Sequence, residues 1–198
     1  MNEQIQSELK KIYSSRYSIS ESTRATYSRG EDTYDPILSQ AVVFPETNEE
    51  VSKTLLLCNH HKVPVVPFGT GTSLEGNVVG NEEGITISLE KMNKILSVNV
   101  EDFDCRVQAC VTKEQLNEYL REDGVFFPID PGANAAIGGM ASTSASGTMA
   151  VKYGTMKTVI TGLTVVLPNG EIIKTGGRTK KTSAGYNLTN LFIGSEGT

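Results

Sequence analysis

Polar residues mark the starts of two predicted helices, and apolar residues recur at helical spacing within them. Thr47 followed by Glu50 is the pattern of a capping box, and it predicts a helix over Asn48–His61. Thr112 likewise begins a helix that ends near Arg121, with two leucines four residues apart on one face. Local signals in the first turn therefore place both helices.

Short runs of β-branched residues between polar separators predict strands. Three consecutive runs predict a small sheet, namely Ile85–Leu89, Ile95–Val100 and Cys105–Val111. Further strands are predicted at Ala41–Phe44, Pro64–Val66, Val159–Leu167 and Ile172–Lys174. Asn169 and Gly170 separate the last two strands and predict a hairpin turn, because this dipeptide adopts positive φ readily.

Residues 1–35 form a predicted N-terminal extension rich in Ser, Glu, Arg and Tyr. A short helix is expected over Glu3–Tyr13, but the segment as a whole shows little apolar periodicity. We therefore expect it to wrap a surface of the protein.

The apolar strand before Gly69 opens into a loop with three glycines, and the segment Pro67–Asn77 is called the glycine loop. Glycine permits φ > 0 and carries no Cβ, so such a loop can bring backbone N–H groups close to an anion. The expected ligand is a phosphate or pyrophosphate. A Walker motif is excluded because Asn77 and Val78 stand where Lys and Ser/Thr are required. The dinucleotide-binding fingerprint G-x-G-x-x-G does not match either, because Gly76, the next glycine after Gly71, lies too far along the chain. A plain glycine-rich turn remains the alternative interpretation of this segment.

A second segment of small residues runs from Ala133 to Thr148, after the extended bend Phe126–Gly132, in which two prolines exclude a regular helix. One interpretation of Ala133–Thr148 is a flexible linker. The other is a tightly packed turn and short helix against which a flat ligand can lie. Interspersed Ala, Ile and Met favour the second interpretation, because they supply an inward face.

Composition narrows the class of protein. At 198 residues the chain can form one sizeable core or two small lobes. It has 18 Lys and Arg against 23 Asp and Glu, a formal charge of −5, with no basic run, which argues against nucleic acid as a partner. No apolar run approaches the ~18 residues of a membrane span, and the polar start is unlike a signal peptide. We expect a cytoplasmic protein with small-molecule or protein partners and no transmembrane segment.

The metal-ligating residue types show no site pattern. Cys58, Cys105 and Cys110 are odd in number and contain no C-x-x-C, so neither a disulfide framework nor a zinc site is indicated. We expect them reduced and partly buried. His60 and His61 are adjacent, which favours an exposed helix end over a metal or catalytic set.

Several segments together resemble the FAD-linked oxidases of the vanillyl-alcohol oxidase and p-cresol methylhydroxylase (PCMH) type. They are the glycine loop, Pro128–Gly147, Val151–Met156, Gly185–Leu188 and Phe192–Thr198. Within this family the chain is most similar to the group of D-lactate dehydrogenases (cytochrome) and glycolate oxidase FAD subunits, over nearly all of residues 35–198. The resemblance implies an α+β fold, a two-lobed PCMH-type FAD-binding domain with FAD between the lobes.

The implied domains are the extension 1–35, a first FAD-binding lobe 36–111 that carries the glycine loop, and a second lobe 112–198. The second lobe is expected to be truncated at its C-terminal end, and the family's substrate cap domain to be absent. The family's catalytic and metal-binding residues come from that missing part, so none is expected in this chain.

The resemblance also assigns site residues. The glycine loop is expected to bind the FAD pyrophosphate through Pro67, Phe68, Gly69, Thr70, Gly71, Thr72 and Ser73, with Asn77 as a neighbour. A wall for the flavin and ribityl groups is expected from Pro131, Gly132, Gly138, Gly139, Ser142, Gly147, Tyr153 and Gly154. Glu196 and Gly197 match the family's adenine-side ending.

FAD is expected to bind noncovalently. Family members that attach it covalently use a His in the glycine loop or a Cys near the proline-glycine bend. Thr72 occupies the place of that His, and no Cys lies between Arg121 and Thr198.

The resemblance implies that the intact protein oxidises a D-2-hydroxy acid, D-lactate or glycolate, to the 2-oxo acid and passes electrons to an acceptor or a partner subunit. Such a partner would also account for any association with a membrane. This chain alone is expected to be inactive. The alternative is an FAD-binding module without activity of its own, or one that does not retain FAD. Related flavoproteins reduce an enolpyruvyl sugar nucleotide, but the ending Ser195–Thr198 favours the hydroxy-acid group.

Overall fold

The computed structural model describes residues 3–183 and 185–198. It is a mixed α and β structure, which confirms the predicted fold class. The chain divides into two compact units: the first is Met1–Met92 with Val166–Ile173, and the second is Asn93–Val165 with Lys174–Thr198. The lobe boundaries expected from the sequence stay a prediction.

The first unit contains a four-stranded sheet and three helices. Its elements are α1 (Glu3–Tyr13), β1 (Tyr17–Ser18), α2 (Glu21–Thr26), β2 (Ala41–Val43), α3 (Asn48–His61), β3 (Val65–Phe68) and β4 (Ile85–Ser88). The strand order is β1-β2-β4-β3, in which β1 is antiparallel to β2 and the other pairs are parallel. The carboxyl ends of β3 and β4 therefore lie side by side, with Phe68 opposite Ser88.

The predicted grouping of three strands into one small sheet is wrong. Strand β4 pairs with β2 and β3, whereas β5 (Ile95–Asn99) and β6 (Asp104–Val107) form a separate antiparallel pair. All four residues of β4 are buried, so this strand needs a neighbour on each side and a cover on each face. Apolar alternation identifies strands, but it does not specify their partners.

Helix α1 is part of the core of the first unit. Ile5, Leu9 and Tyr13, spaced four residues apart, are each at most 3% exposed. The Tyr13 hydroxyl lies 2.6 Å from the Thr54 hydroxyl of α3, and burial raises the pKa of Tyr13 to about 12. The expectation that residues 1–35 wrap a surface is therefore wrong for α1, because one narrow apolar stripe is enough to bury this helix.

The second unit is built around β5, β6 and a set of short helices. Its helices are α4 (Lys113–Leu120), α5 (Ile137–Ser142), α6 (Ala150–Tyr153), α7 (Met156–Val159) and α8 (Leu188–Phe192). Both helix starts predicted from the sequence are confirmed: Thr47 accepts a hydrogen bond from the Glu50 N–H, and Thr112 accepts one from the Gln115 N–H.

The predicted hairpin is present as β7 (Gly162–Val166) and β8 (Ile172–Gly176). Its turn has Gly170 at φ +86°, and the Gly170 N–H donates to the Leu167 carbonyl at 2.8 Å. The first strand is shorter than expected, since Val159 ends helix α7.

The small-residue segment is ordered by an apolar face on α5. Ile137, Met140 and Ala141 are buried with Met156 and Ile193 in the core of the second unit. The packed turn and short helix are therefore confirmed, and the flexible linker is excluded. Among residues 3–183 and 185–198, no helix has both the length and the hydropathy needed to cross a membrane.

Candidate cofactor site

The glycine loop leaves the sheet at the carboxyl end of β3. Pro67 and Phe68, which the sequence assigned to the loop, are the last residues of that strand, and Phe68 is only 7% exposed. No helix or strand occurs from Gly69 to Gly84. Ligands of open sheets with parallel strands bind outside the carboxyl ends of the strands, so the loop is in a position suited to binding.

Gly71 and Gly76 give the loop its path. Their φ values are +72° and +75°, a region that side chains other than glycine rarely adopt. A Cβ on Gly71 would lie 2.7 Å from Cζ of the Phe68 ring. The loop is therefore close-packed, and its backbone path requires glycine at both positions.

The polar side chains of the loop hydrogen bond to one another. The hydroxyls of Thr70 and Thr72 are 3.3 Å apart, and the Ser73 hydroxyl donates to Oδ1 of Asn77. This bond links Asn77, at the end of the glycine loop, to Ser73 in its middle. Gly69 and Thr72 are partly exposed and Thr70 is exposed, so this segment is accessible to a ligand.

The glycines predicted to form the flavin wall fall into two groups. A Cβ on Gly138 would lie 2.8 Å from Cβ of Ala109, and the Gly138 N–H donates to the Ala109 carbonyl at 2.8 Å, so packing explains this glycine. Gly132 and Gly139 have nothing within 4 Å of a Cβ position. These two leave an open surface on the second unit, where a ligand can approach the backbone.

Asp130 is a structural residue that no local sequence pattern indicates. Its carboxylate accepts hydrogen bonds from the Met149 N–H at 3.0 Å and the Thr148 hydroxyl at 2.9 Å. The Met149 N–H, the larger of the two effects, holds the pKa of this carboxyl below its usual value. A Cβ on Gly147 would overlap the Asp130 backbone carbonyl. Gly147 is therefore required by packing against the bend, whatever its role toward a ligand.

Asn117 holds the other end of the same bend. Its Oδ1 accepts a hydrogen bond from the Phe127 N–H at 2.7 Å, and its Nδ2 donates to the Phe127 carbonyl at 3.3 Å. A side-chain amide thus satisfies both polar groups of one backbone unit, as a neighbouring strand would. No local sequence pattern indicates this, because Asn117 and Phe127 are ten residues apart.

Tyr153 and Gly154 end helix α6. The Tyr153 ring meets the Phe126 ring edge-on at 5.5 Å, and the Lys152 ammonium lies 4.8 Å from its centroid. Gly154 has φ +84°, and a Cβ there would lie 2.5 Å from the Thr158 hydroxyl. Tyr153 is partly exposed, so one part of its ring stays accessible.

The C-terminal segment is attached to the end of α5. The Gly194 N–H donates to the Ala141 carbonyl and the Glu196 N–H to the Ser142 carbonyl, each at 3.0 Å. The structure therefore brings Ser142 and Glu196 together. Gly197 has φ +88° with nothing within 4 Å of a Cβ position. The adenine-side role of Glu196 and Gly197 stays a prediction.

The cysteines are not part of this candidate site. Cys58 and Cys110 are buried, and burial raises the pKa of Cys58 to about 11. Cys105 is exposed by surface area, although partial burial of its thiol still raises its pKa. Within residues 3–183 and 185–198, no cluster of three or more His, Cys, Asp and Glu side chains could hold a metal ion.

Each unit by itself fits one part of a flavin dinucleotide. The first presents a glycine-dependent loop at strand ends, which suits a diphosphate because backbone N–H groups can approach an anion there. The second presents the open glycines Gly132 and Gly139, whose missing side chains leave room for a flat ring.

Comparison with known proteins agrees with this fit. Residues 39–176 match the model of a family described as FAD binding domain. The chain is 49% identical over 184 residues to "Probable D-lactate dehydrogenase, mitochondrial" of Danio rerio, an alignment that covers 91% of this chain and 37% of that protein. It is 38% identical over 177 residues to "Glycolate oxidase subunit GlcD" of Bacillus subtilis (strain 168), covering 88% of this chain and 38% of the relative.

A solved structure shares the fold. The crystal structure of p-cresol methylhydroxylase with substrate bound superimposes with a TM-score of 0.78 at 21% identity, over 96% of this chain and 40% of that one. At this level of identity, the likeness shows the fold alone. The chain spans under two fifths of the length of the two sequence relatives.

Proposed function

The chain belongs to the FAD binding domain family, and on this premise we propose that it binds FAD noncovalently as part of an oxidoreductase that acts on a D-2-hydroxy acid. The observation that carries the proposal is the glycine loop at the carboxyl ends of β3 and β4. Gly71 has φ +72° there and lies too close to Phe68 for any side chain. Such a loop is suited to binding a diphosphate through backbone dipoles, so a basic cluster is not required.

In this proposal, backbone N–H groups of Gly69–Ser73 bind the diphosphate, and Asn77 holds Ser73 in place. Gly132 and Gly139 let the flavin lie against the backbone of the second unit, since no side chain occupies that space. The rest of this proposed wall consists of Pro131, Gly138, Ser142, Gly147, Tyr153 and Gly154. The proposed adenine side contains Glu196 and Gly197. The contribution of Gly138, Gly147 and Gly154 to the flavin wall is indirect, because packing within the protein already requires a glycine at each position.

The proposed attachment is noncovalent because the chain lacks the residues that would make the bond. Thr72 lies where covalent family members have a His, and a threonine hydroxyl is not a comparable nucleophile. The three cysteines all precede Thr112, and two of them are buried.

The proposed substrate class rests on the names of the relatives. One is named a probable D-lactate dehydrogenase and the other a glycolate oxidase subunit, and both of those substrates are 2-hydroxy acids. Bound FAD would supply the capacity to accept a hydride, while the residues of this chain bind and orient it. We place no catalytic residue in the chain. The word subunit in the second name supports a partner subunit or separate electron acceptor for the whole protein.

Titration of the purified chain with FAD tests the proposal. We expect saturable quenching of flavin fluorescence, competition by ADP, and release of the flavin into the supernatant after acid precipitation. Flavin that stays with the precipitated polypeptide would refute noncovalent attachment, and no saturable binding would refute the FAD site. Reduction of a dye acceptor with D-lactate then separates an active chain from a binding module, and we expect no turnover by the chain alone.

A further inference from the structure

The segment Tyr27–Tyr34 forms a strap across the glycine loop, within the first unit. The Glu31 N–H of the strap donates to the Gly71 carbonyl at 2.9 Å. Beyond the loop, the Gly80 N–H donates to the Ser28 carbonyl, also at 2.9 Å. These two hydrogen bonds attach the strap to the chain on both sides of the loop tip.

The strap and the loop approach each other at glycines on both sides. A Cβ on Gly30 would lie 2.6 Å from the Gly71 carbonyl oxygen and 2.8 Å from the Ser73 carbonyl oxygen. A Cβ on Gly76 would lie 2.8 Å from the ring of Tyr34. Backbone therefore packs directly on backbone, so a displacement of the strap must displace the loop.

The strap also contacts Phe68, the side chain beneath the loop, through Tyr27. The Tyr27 ring meets the Phe68 ring edge-on at 5.1 Å and the Phe44 ring at 5.4 Å. Its hydroxyl donates to the Glu90 carboxylate at 2.5 Å. Phe68 is the residue whose ring excludes a side chain at Gly71, so the strap supports the loop from below as well as across its tip.

Asp32 gives the strap its shape. Its Oδ2 accepts a hydrogen bond from the Gly30 N–H at 3.1 Å, and its Oδ1 accepts one from the Tyr34 N–H at 3.0 Å. The residue is 9% exposed, so these bonds are partly shielded from water. Hydrogen bonds to an ionised group are stronger than neutral ones, and the carboxylate thereby sets the turn that holds Gly30 against the loop.

We propose that Asp32 is a positioning residue for the diphosphate-binding glycine loop, acting through the strap and not by contact with the ligand. This inference rests on the diphosphate contact proposed above. The direction of the change in diphosphate affinity on replacing Asp32 distinguishes two roles. A carboxylate near a bound diphosphate repels it, so if Asp32 acted through its charge alone, removing that charge would strengthen binding. If Asp32 holds the loop in shape, removing it weakens binding in spite of the relieved repulsion.

The test compares Asp32→Ala with Asp35→Ala, which removes the same charge from an exposed residue three positions along the chain. The probes are ADP, which carries the diphosphate, and riboflavin, which does not. For Asp32→Ala we expect the Kd for ADP to rise about tenfold, as for one lost charge-assisted interaction, and the Kd for riboflavin to stay within about twofold. Asp35→Ala is expected to bind ADP as the unmodified chain does or slightly more tightly.

Two further variants keep the test decisive if Asp32→Ala folds poorly. Asp32→Asn retains an acceptor for the Tyr34 N–H and is expected to recover part of the ADP affinity. Gly30→Ala leaves Asp32 in place but presses a methyl group on the loop carbonyls, and is expected to weaken ADP binding selectively. Gly177→Ala, where nothing lies within 4 Å of the Cβ position, is its control.

Amide hydrogen exchange of the ligand-free chain shows which of the two has failed, this inference or the proposed function. We expect faster exchange of the Gly69–Ser73 amides in Asp32→Ala than in Asp35→Ala, with the α3 amides unchanged. ADP affinity that is unchanged or higher in Asp32→Ala, together with unchanged exchange, would overturn the positioning role. No ADP binding by the unmodified chain, with faster exchange in Asp32→Ala, would overturn the diphosphate assignment and support the hold of the strap on the loop.

Discussion

Replacing Gly71 with alanine tests whether the glycine loop has the close-packed form on which the proposed site depends. Two penalties follow from the structure. Alanine at φ +72° enters the left-handed region, which costs about 1 to 2 kcal/mol for a residue with a Cβ. The new Cβ also lies 2.7 Å from Cζ of Phe68. That ring is 7% exposed and packed against Tyr27, so it cannot swing aside freely.

Overpacking of this kind costs a further ~1 to 3 kcal/mol, so we expect Gly71→Ala to lower the free energy of unfolding by about 2 to 5 kcal/mol. Gly124→Ala is the matched control. Gly124 has φ +68° but nothing within 4 Å of its Cβ position, so it incurs the backbone penalty alone, about 1 to 2 kcal/mol. The difference between the two variants measures the contact with the Phe68 ring.

The assay is urea unfolding followed by circular dichroism, since the chain contains no Trp. The double variant Gly71→Ala with Phe68→Leu removes the ring atom in contact, and we expect it to be less destabilised than the sum of its single variants. Equal losses in Gly71→Ala and Gly124→Ala, with additive effects in the double variant, would refute the packing argument. No loss in either would refute the left-handed conformation of both glycines.

Two further predictions concern titratable groups. The Arg16 guanidinium donates to the Glu50 carboxylate at 2.8 Å and holds the pKa of Glu50 below its usual value. The pair therefore stabilises the fold above the unfolded pKa of Glu50 and loses that effect as pH falls through the lowered folded pKa. As pH falls below about 5, the unmodified chain should lose more stability than Glu50→Gln, and parallel curves of stability against pH would contradict this. In the native chain iodoacetamide should modify the exposed Cys105 before the buried Cys58 and Cys110, as peptide mass spectrometry can show, and equal rates would contradict the described burial.

The parts of the fold that were predictable are those with local causes. The start of α3 follows from the Thr47 cap, whereas the left-handed conformation of Lys62 after His61 is seen only in the structure. The inward face of α5 follows from three apolar residues within a run of small ones. Each of these elements is determined by side chains within one or two turns of it, which a sequence pattern shows directly.

The candidate site was predictable only in outline. The glycines of the loop are visible in the sequence, and so is the absence of a Lys that would make it a Walker motif. The sequence could not separate Gly138, which packing against Ala109 requires, from Gly139, which has nothing near its Cβ position. That distinction depends on which other segment lies against each glycine, and such contacts have no local signature.

The amino-acid sequence by itself therefore determined the starts of α3 and α4, the approximate positions of strands β2 to β8 and the glycine-rich composition of the proposed site, because caps, turns and periodicity act over a few residues. Only the tertiary structure placed β4 between β2 and β3, buried α1, and set the strap against the loop. The physical reason is that Glu31 and Gly71 are 40 residues apart in the chain, so their hydrogen bond depends on hydrophobic burial that brings distant segments together and not on a local pattern.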